Sequence, residues 1–204
     1  MDAILKACDR YSINGIYGAH NATRLRALTL LMRYSGPRIG DAVTCARDRL
    51  VGSKLFLYQA KTGTPVYCPL PPLVVDALKD VKSPNAKYFF WTGQGKPKSA
   101  VGDAQRSFRK LFELAEVTGH PHMFRDTFAV ELLQHGVSLE TVSMLLGHAS
   151  IKVTEKHYKR WVKTLQDKLE AEAMKAWPVA TSGAKKVCGT RPPQRRRRSR
   201  LAVA

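Results

Sequence analysis

Four short stretches of this sequence hold side chains that could bind and attack a phosphate group. These side chains belong to Arg38, Asp41, Lys61, His122, Arg125, His148 and Tyr158. Guanidinium groups match the geometry of phosphate oxygens, Lys and His transfer protons, and a phenol can act as a nucleophile. Taken singly, each residue is better explained as a solvated side chain, a helix end or a core aromatic. Any functional conclusion therefore depends on their combination.

The order and spacing of these residues resemble the hallmark of the tyrosine recombinase and phage integrase family, Arg…Lys…His-x-x-Arg…His/Trp…Tyr. The resembling segments are SGPRIGD (35–41, a G-x-R-x-x-E/D box), KTG (61–63, a hairpin lysine turn), HMFR (122–125) and LLGHAS (145–150, an L-G-H-x-S box). Six positions in the right order, spread over residues 23–161, argue against a chance match. One departure is Asp126, where many relatives have a second His, and we expect no loss of activity from it.

The resemblance implies an α+β fold, mainly α-helical, with a small antiparallel β-hairpin. It also implies site-specific DNA strand cleavage and rejoining through a 3′-phosphotyrosine intermediate, without a metal or another cofactor. In that chemistry Tyr158 is the nucleophile, while Arg38 and Arg125 stabilise the negative charge of the transition state. His148 would add a hydrogen bond to the same oxygens, and Lys61 would protonate the departing 5′ oxygen.

Two further residues receive supporting parts on the same basis. His122 is a candidate hydrogen-bonding partner for Tyr158 or acceptor of its proton, and the basic surroundings are expected to favour the phenolate. Asp41 is expected to orient Arg38 or a neighbouring His.

A second interpretation fits the end of the same region. Residues 136–158 also have the spacing of a helix-turn-helix, with an apolar helix, a glycine turn and a polar helix. A transcription factor built in this way would place Lys152, Thr154 and Lys156 in the major groove. On this stretch alone the two interpretations compete closely.

The charge balance favours a nucleic acid as partner. The net charge is +18, and residues 178–204 contribute eight basic and no acidic residues to it, so residues 1–177 keep a net charge of +10. Such a field attracts polyanions, and double-stranded DNA is the obvious one, although charge alone would also fit RNA or a mere solubility feature. The four cysteines lack metal-ligand spacing, and no apolar run is long enough for a membrane span. We therefore expect a cytoplasmic, nucleoid-associated protein.

Periodicity and turn residues predict the elements that must position these side chains. We expect helices over about 23–36, 39–46, from 71–72 onward, 99–117, 122–135, 139–147 and from 150 past 161, with strands at 54–60 and 65–70. KYFFWTG (87–93) is either a strand or an aromatic connector. LQDKLEAEAMKAW (165–177) is amphipathic, and it either docks on a neighbouring protomer or closes the domain as an intramolecular helix.

Little sequence precedes Thr23, whereas the family resemblance implies a preceding helical core-binding domain. We therefore expect a truncated or minimal recombinase, with residues 1–22 as a lead-in, 23–177 as the catalytic domain and 178–204 as a disordered basic tail. An active enzyme that forms a synaptic tetramer on DNA is one expectation. The alternative is a non-enzymatic DNA-binding remnant of an integrase.

Overall fold

The computed structural model describes residues 1–11, 18–59 and 62–176 of the chain. Its elements follow in the order α1 (Asp2–Arg10), α2 (Gly18–Ser35), α3 (Ile39–Val43), a 3₁₀ turn (Arg47–Arg49), β1 (Leu50–Val51), β2 (Lys54–Tyr58), β3 (Pro65–Pro69), α4 (Pro72–Lys79), α5 (Pro97–Leu114), α6 (His122–Gln134), α7 (Leu139–Leu146) and α8 (Ile151–Ala176). The mainly helical α+β fold expected from the sequence is confirmed.

The helices begin and end close to where the sequence predicts, with four differences. Helix α5 runs from Pro97 to Leu114 rather than over 99–117. Helix α2 starts at Gly18 rather than Thr23, because no proline separates the two positions. Helix α3 ends at Val43 rather than near Ala46, and the Thr44 hydroxyl donates to the Gly40 carbonyl at 2.9 Å. Helix α8 runs without a break to residue 176, so residues 165–176 continue the same helix as Tyr158 instead of forming a separate one.

The small sheet has the antiparallel order β1-β2-β3. Both predicted strands are present and slightly shorter than expected, whereas the two-residue β1 was not predicted. Leu55 pairs with Leu50 on one side and with Cys68 on the other. Side chains alternate along β2 and β3 between the core and the outer face, as a half-buried sheet requires. KYFFWTG is a connector, held to the loop that follows α3 by an isolated antiparallel bridge between Ala46 and Tyr88.

Two groups of buried side chains hold the elements together. The larger group joins α1, α2, α4 and α5 with the inner face of the sheet. The smaller group joins α6, α7 and α8, and it contains Tyr158 together with Phe128, Leu133 and Leu146. The proposed nucleophile is thus anchored by its ring in a hydrophobic cluster of its own. The predicted basic tail, residues 178–204, lies outside the described residues.

Burial also accounts for the cysteines that the structure describes. Cys8, Cys45 and Cys68 are buried free thiols, and burial raises the pKa of Cys68 to about 12. They are therefore protonated core side chains near neutral pH. None of the helices within the described ranges combines the length and apolar character that crossing a membrane demands.

Gly36 makes the approach of α2 to α6 possible. Its φ of +57° belongs to the left-handed region, and an added Cβ would lie 2.5 Å from Phe128 Cδ1. Gly52 has nearly the same backbone conformation, with φ +60°, but an added Cβ there would meet nothing within 4 Å. A side chain at Gly52 would therefore introduce backbone strain alone, whereas one at Gly36 would introduce the same strain and a steric overlap with Phe128.

We predict that Gly36→Ala lowers the free energy of unfolding more than Gly52→Ala does. Both variants lose about 1–2 kcal/mol from the left-handed conformation. Only Gly36→Ala adds the overlap with the Phe128 ring, which costs about 1–3 kcal/mol more. Urea denaturation of the two variants and the unaltered chain measures the difference. Equal losses would show that α2 and α6 do not pack through Gly36.

Candidate active site

Arg125 occupies the first turn of α6 and is the largest fully buried side chain among the described residues, with 2% of its surface exposed. Its Nη1 donates to the Gly36 carbonyl at 2.6 Å, and its Nη2 donates to the Leu146 carbonyl at 2.7 Å. These oxygens lie at the C-terminal ends of α2 and α7, where a cation is favoured by both helix dipoles. Burial, followed by repulsion from Arg38, lowers the pKa of Arg125 to about 10, so the guanidinium stays charged at neutral pH.

Arg38 is joined to the same carbonyl through Gln59. Arg38 Nη1 donates to Gln59 Oε1, and Gln59 Nε2 donates to the Leu146 carbonyl. The Gln59 side chain is buried, so its amide has a fixed orientation between the two groups. The Leu146 carbonyl oxygen therefore helps to hold both guanidinium groups. It accepts a hydrogen bond directly from Arg125, and it is linked to Arg38 through the Gln59 amide. Gln59 is not part of the catalytic pattern, and in the sequence only its position at the end of a predicted strand distinguishes it.

His148 follows the left-handed cap residue Gly147 at the end of α7. Its Nδ1 lies 2.7 Å from the Thr154 hydroxyl, and Thr154 is fully buried. Burial, followed by the charges of Arg125 and Arg38, lowers the pKa of His148 to about 4. The imidazole is therefore neutral at neutral pH. A Thr154 hydroxyl that donates to Nδ1 leaves the ring proton on Nε2, where it can be donated to a phosphate oxygen.

The burial of Thr154 contradicts the helix-turn-helix interpretation. That interpretation requires the Thr154 side chain to reach base edges from an exposed helix face. Instead, its hydroxyl is enclosed between α8 and the loop that carries His148. Thr154 is a second residue whose part in the site the catalytic pattern did not reveal.

Tyr158 lies on α8 with only 5% of its surface exposed. Its hydroxyl donates to Asp126 Oδ1 at 2.9 Å, and His122 Nε2 lies 3.9 Å from the same oxygen. The hydrogen-bonding partner of the Tyr158 hydroxyl in the structure is thus Asp126, and His122, the candidate named from the sequence, lies near the same carboxylate oxygen. The expected preference for the phenolate is wrong. Burial, the charge of Asp126 and its hydrogen bond together raise the pKa of Tyr158, and this outweighs the opposing effect of Arg125.

Two predicted site residues remain, Asp41 and Lys61, and the structure describes only the first. Asp41 is buried in α3, and its charge acts on Arg125. Lys61 lies outside the described residues. Its neighbour in sequence, Thr62, donates through its hydroxyl to the Gly147 carbonyl at 3.3 Å, so described residues of the hairpin turn contact the loop of His148. Within the described residues, no three His, Cys, Asp or Glu side chains are grouped so that they could hold a metal ion.

The described residues of the predicted set form one electrostatic unit. Arg38, Arg125 and His122 all act on His148, and Arg38, Asp41, Asp126 and Tyr158 all act on Arg125. Arg38 and Arg125 provide cationic forks, His148 provides a neutral donor, and Tyr158 provides a phenol held by a carboxylate. This arrangement can bind a phosphodiester and present a nucleophile to it.

The lowered pKa of His148 predicts a stability that depends on pH. An ordinary histidine in the unfolded chain binds its proton below pH 6.5, whereas the folded His148 does so only below about 4. Between these values the unfolded state binds more protons, so the free energy of unfolding falls as the pH is lowered. We expect His148→Asn to flatten this dependence, as measured by urea denaturation across the interval. Parallel curves for the variant and the unaltered chain would contradict a partly buried imidazole that stays neutral in the folded state.

Comparisons with known proteins identify relatives of this chain by sequence. A curated tyrosine recombinase from Agathobacter rectalis is 28% identical over 149 residues, which cover 68% of this chain and 48% of that protein. The chain spans about half the length of the curated relatives it matches.

Two solved structures share the fold. The catalytic domain of bacteriophage HP1 integrase has a TM-score of 0.57 at 18% identity, covering 88% of this chain and 92% of that one. A lambda integrase tetramer bound to a Holliday junction has a TM-score of 0.53 at 21% identity, covering 72% of this chain and 44% of that one. The model of the phage integrase family matches residues 1–164, which is most of the chain, and the protein therefore belongs to the phage integrase family.

Proposed function

We propose that this chain is the catalytic domain of a tyrosine recombinase, which cleaves and rejoins double-stranded DNA at specific sites through a 3′-phosphotyrosine intermediate. The observation that carries the proposal is the shared fixation of Arg125 and Arg38 on the Leu146 carbonyl, beside a Tyr158 hydroxyl. We assign residues 23–177 to the catalytic domain and 1–22 to a lead-in. Helix α1 of that lead-in packs against α2 and α5.

The phosphate-binding side of the site consists of Arg38, Arg125 and His148. The five-coordinate transition state carries extra negative charge on its non-bridging oxygens. Two fixed guanidinium groups and a neutral Nε2–H donor supply stabilisation for that charge without moving as it develops. The rigid attachment of Arg125 to two helix ends keeps its position constant between ground state and transition state. Asp41 acts behind this surface through its charge on Arg125.

Tyr158 is the proposed nucleophile and Lys61 the proposed general acid. Attack by the phenol replaces one phosphoester with another, so the bond energy is kept while the strand is open. The departing 5′ oxygen needs a proton, and Lys61 is the candidate that the hairpin turn offers. This assignment is supported by sequence order and by the contact of its neighbour Thr62 with Gly147. His122 is assigned to the same centre, 3.9 Å from the carboxylate that holds Tyr158.

Helix α8 supports an assembly on DNA. Its side chains after Val162 are exposed wherever the structure describes them, including Leu169 and Met174. This placement does not fit an intramolecular helix that closes the domain, and it leaves apolar side chains for a second protomer. We propose a homo-oligomer, a tetramer at synapsis, in line with the lambda integrase tetramer that shares the fold. We further propose that it acts on cytoplasmic, nucleoid DNA.

The competing function is a DNA-binding remnant without activity, and a covalent trap distinguishes the two. Duplexes with a randomised core and a nick beside it lose a short fragment on cleavage, so the protein–DNA adduct accumulates. Adducts survive denaturation in detergent and can be counted from the labelled strand. An active recombinase forms them, whereas a remnant binds the same duplexes without forming any.

We predict that Tyr158→Phe abolishes the adduct and leaves DNA binding nearly unchanged, because only the reacting oxygen is removed. Arg38→Ala should lower the single-turnover rate by about 10²-fold or more, by analogy with the loss of one transition-state donor elsewhere. Arg109→Ala, an exposed arginine on α5, removes the same charge and serves as the control. Cleavage by Tyr158→Phe at the normal rate, or an unchanged rate for Arg38→Ala, would refute the roles assigned.

We predict that a sulfur leaving group rescues Lys61→Ala. In a duplex with a bridging 5′ sulfur at the scissile position, the departing thiolate needs no proton, since thiols are far more acidic than alcohols. The variant should cleave ordinary DNA slowly, by about 10²-fold or more, and the sulfur duplex at nearly the unaltered rate. A defect that persists on the sulfur duplex would remove Lys61 from the general-acid position.

A further inference from the structure

We propose that Asp126 is the base that takes the proton of the Tyr158 hydroxyl as Tyr158 attacks DNA. The inference rests on the proposed function, since it names the acceptor for the nucleophile of that reaction. Asp126 lies outside the six residues of the catalytic pattern, so the sequence alone predicts no effect of this residue on activity. The structure places it in direct contact with the reacting oxygen.

The contact joins two helices at the edge of the site. Asp126 follows Arg125 on α6, and Tyr158 lies on α8. The Tyr158 hydroxyl donates to Asp126 Oδ1 at 2.9 Å, which is a normal hydrogen bond to a carboxylate. The Tyr158 ring is buried, whereas 46% of the Asp126 side chain is exposed. The proton therefore points from a hydrophobic cluster toward a group that solvent and substrate can reach.

The neighbouring groups fit the role less well. Arg38 and Arg125 are cations without a free lone pair, so they cannot accept a proton. His122 Nε2 is 3.9 Å from Asp126 Oδ1, and 58% of its side chain is exposed. Its pKa is lowered mainly by burial, and Asp126 opposes that effect. His122 is thus placed to interact with Asp126, and among these groups it is Asp126 that accepts the hydrogen bond of the Tyr158 hydroxyl.

The proposed step balances without a further reactant. The Tyr158 oxygen forms a bond to phosphorus, and the bond between phosphorus and the 5′ oxygen breaks. The phenol proton moves to Asp126 Oδ1, and the 5′ oxygen takes a proton from the general acid, proposed as Lys61. In rejoining, the 5′ hydroxyl returns its proton to that amine and attacks phosphorus. The Tyr158 oxygen then leaves and takes its proton back from Asp126.

The hydrogen bond between Tyr158 and Asp126 also keeps the Tyr158 hydroxyl protonated, and thus weakly nucleophilic, in the absence of DNA. A carboxylate beside the hydroxyl opposes a second negative charge, and the pKa of Tyr158 is raised accordingly. As the bond to phosphorus forms, electron density leaves the neutral phenol oxygen and its proton becomes more acidic. Transfer of that proton to Asp126 becomes favourable only at this stage. An opposing possibility is that Asp126 merely holds the hydroxyl away from DNA. The two roles predict rate changes of opposite sign.

Asp126→Asn tests the proposal in the full chain. The single-turnover rate of adduct formation is measured at saturating DNA on the nicked duplexes, with and without the bridging sulfur. We expect a loss on the order of 10²-fold or more on both duplexes, because the sulfur replaces the general acid and leaves the base step untouched. The deficit should shrink as the pH rises, since hydroxide then substitutes for the missing base. Glu155→Gln, an exposed acid on α8, is the charge-matched control and should react like the unaltered chain.

The outcomes separate the inference from the proposed function. If the unaltered chain forms no adduct, the proposed function fails, whatever Asp126 does. If the unaltered chain forms the adduct and Asp126→Asn does so at the same rate or faster, only the inference is overturned. Rescue of Asp126→Asn by the bridging sulfur would also overturn it, because Asp126 would then serve the leaving group. Asp126→Glu keeps a carboxylate and should lose less activity than Asp126→Asn.

A second measurement does not depend on the reaction. The phenolate absorbance of Tyr158 is obtained by subtracting the titration of Tyr158→Phe from that of the unaltered chain. The same subtraction is made in the Asp126→Asn background. Because Asp126 raises the pKa of Tyr158, the residue should titrate at lower pH in that background. An unchanged titration would show that the contact does not exist in solution, and the inference would fall with it.

Discussion

The buried guanidinium of Arg125 is the constraint on which the rest of the site depends. A charge removed from water is strongly destabilising unless hydrogen bonds replace its hydration. Here the replacements are the Gly36 and Leu146 carbonyls, and each lies where a helix ends. Both helices end through left-handed glycines, Gly36 and Gly147, whose missing side chains leave room for Phe128 and Gln59. The position of one cation thus fixes how α2, α6 and α7 meet.

The same constraint explains why the site is rigid although several of its residues lie in loops. Arg38 precedes a five-residue helix and His148 follows a glycine, yet each is held by a buried polar partner, Gln59 or Thr154. The Leu146 carbonyl serves both arginines, so a shift of α7 would move them together. Loops fixed in this way can carry catalytic groups with the accuracy that phosphate chemistry requires.

The sequence predicted the helices, the hairpin and the residues that carry charge, because these depend on local periodicity and on residue type. It did not predict Gln59, Thr154 or Asp126, because their importance comes from contacts between segments that are distant in the chain. Gln59 meets α7 across 87 residues, and Asp126 meets Tyr158 across 32. For Tyr158 the sequence offers His122 as a candidate partner, because the contact with Asp126 is also one between distant segments. His122 and Asp126 lie four residues apart on one face of α6, and only the packing of α8 decides which of them the hydroxyl reaches.

Without a bound anion, positive charges repel one another around Arg38 and Arg125, whereas the Tyr158 hydroxyl already has a hydrogen-bond acceptor. Arg38 lowers the pKa of Arg125 and both lower that of His148, so positive groups repel one another at the position where the proposed function places the phosphate. An anion placed among them removes this repulsion, and the removal grows as negative charge develops on the phosphate oxygens. Tyr158, in contrast, already shares its proton with a carboxylate and carries no charge. Under the proposed function, binding of a phosphodiester supplies the negative charge that the arginines lack. It also supplies the electrophile, phosphorus, and only attack on phosphorus makes proton loss from the Tyr158 hydroxyl favourable.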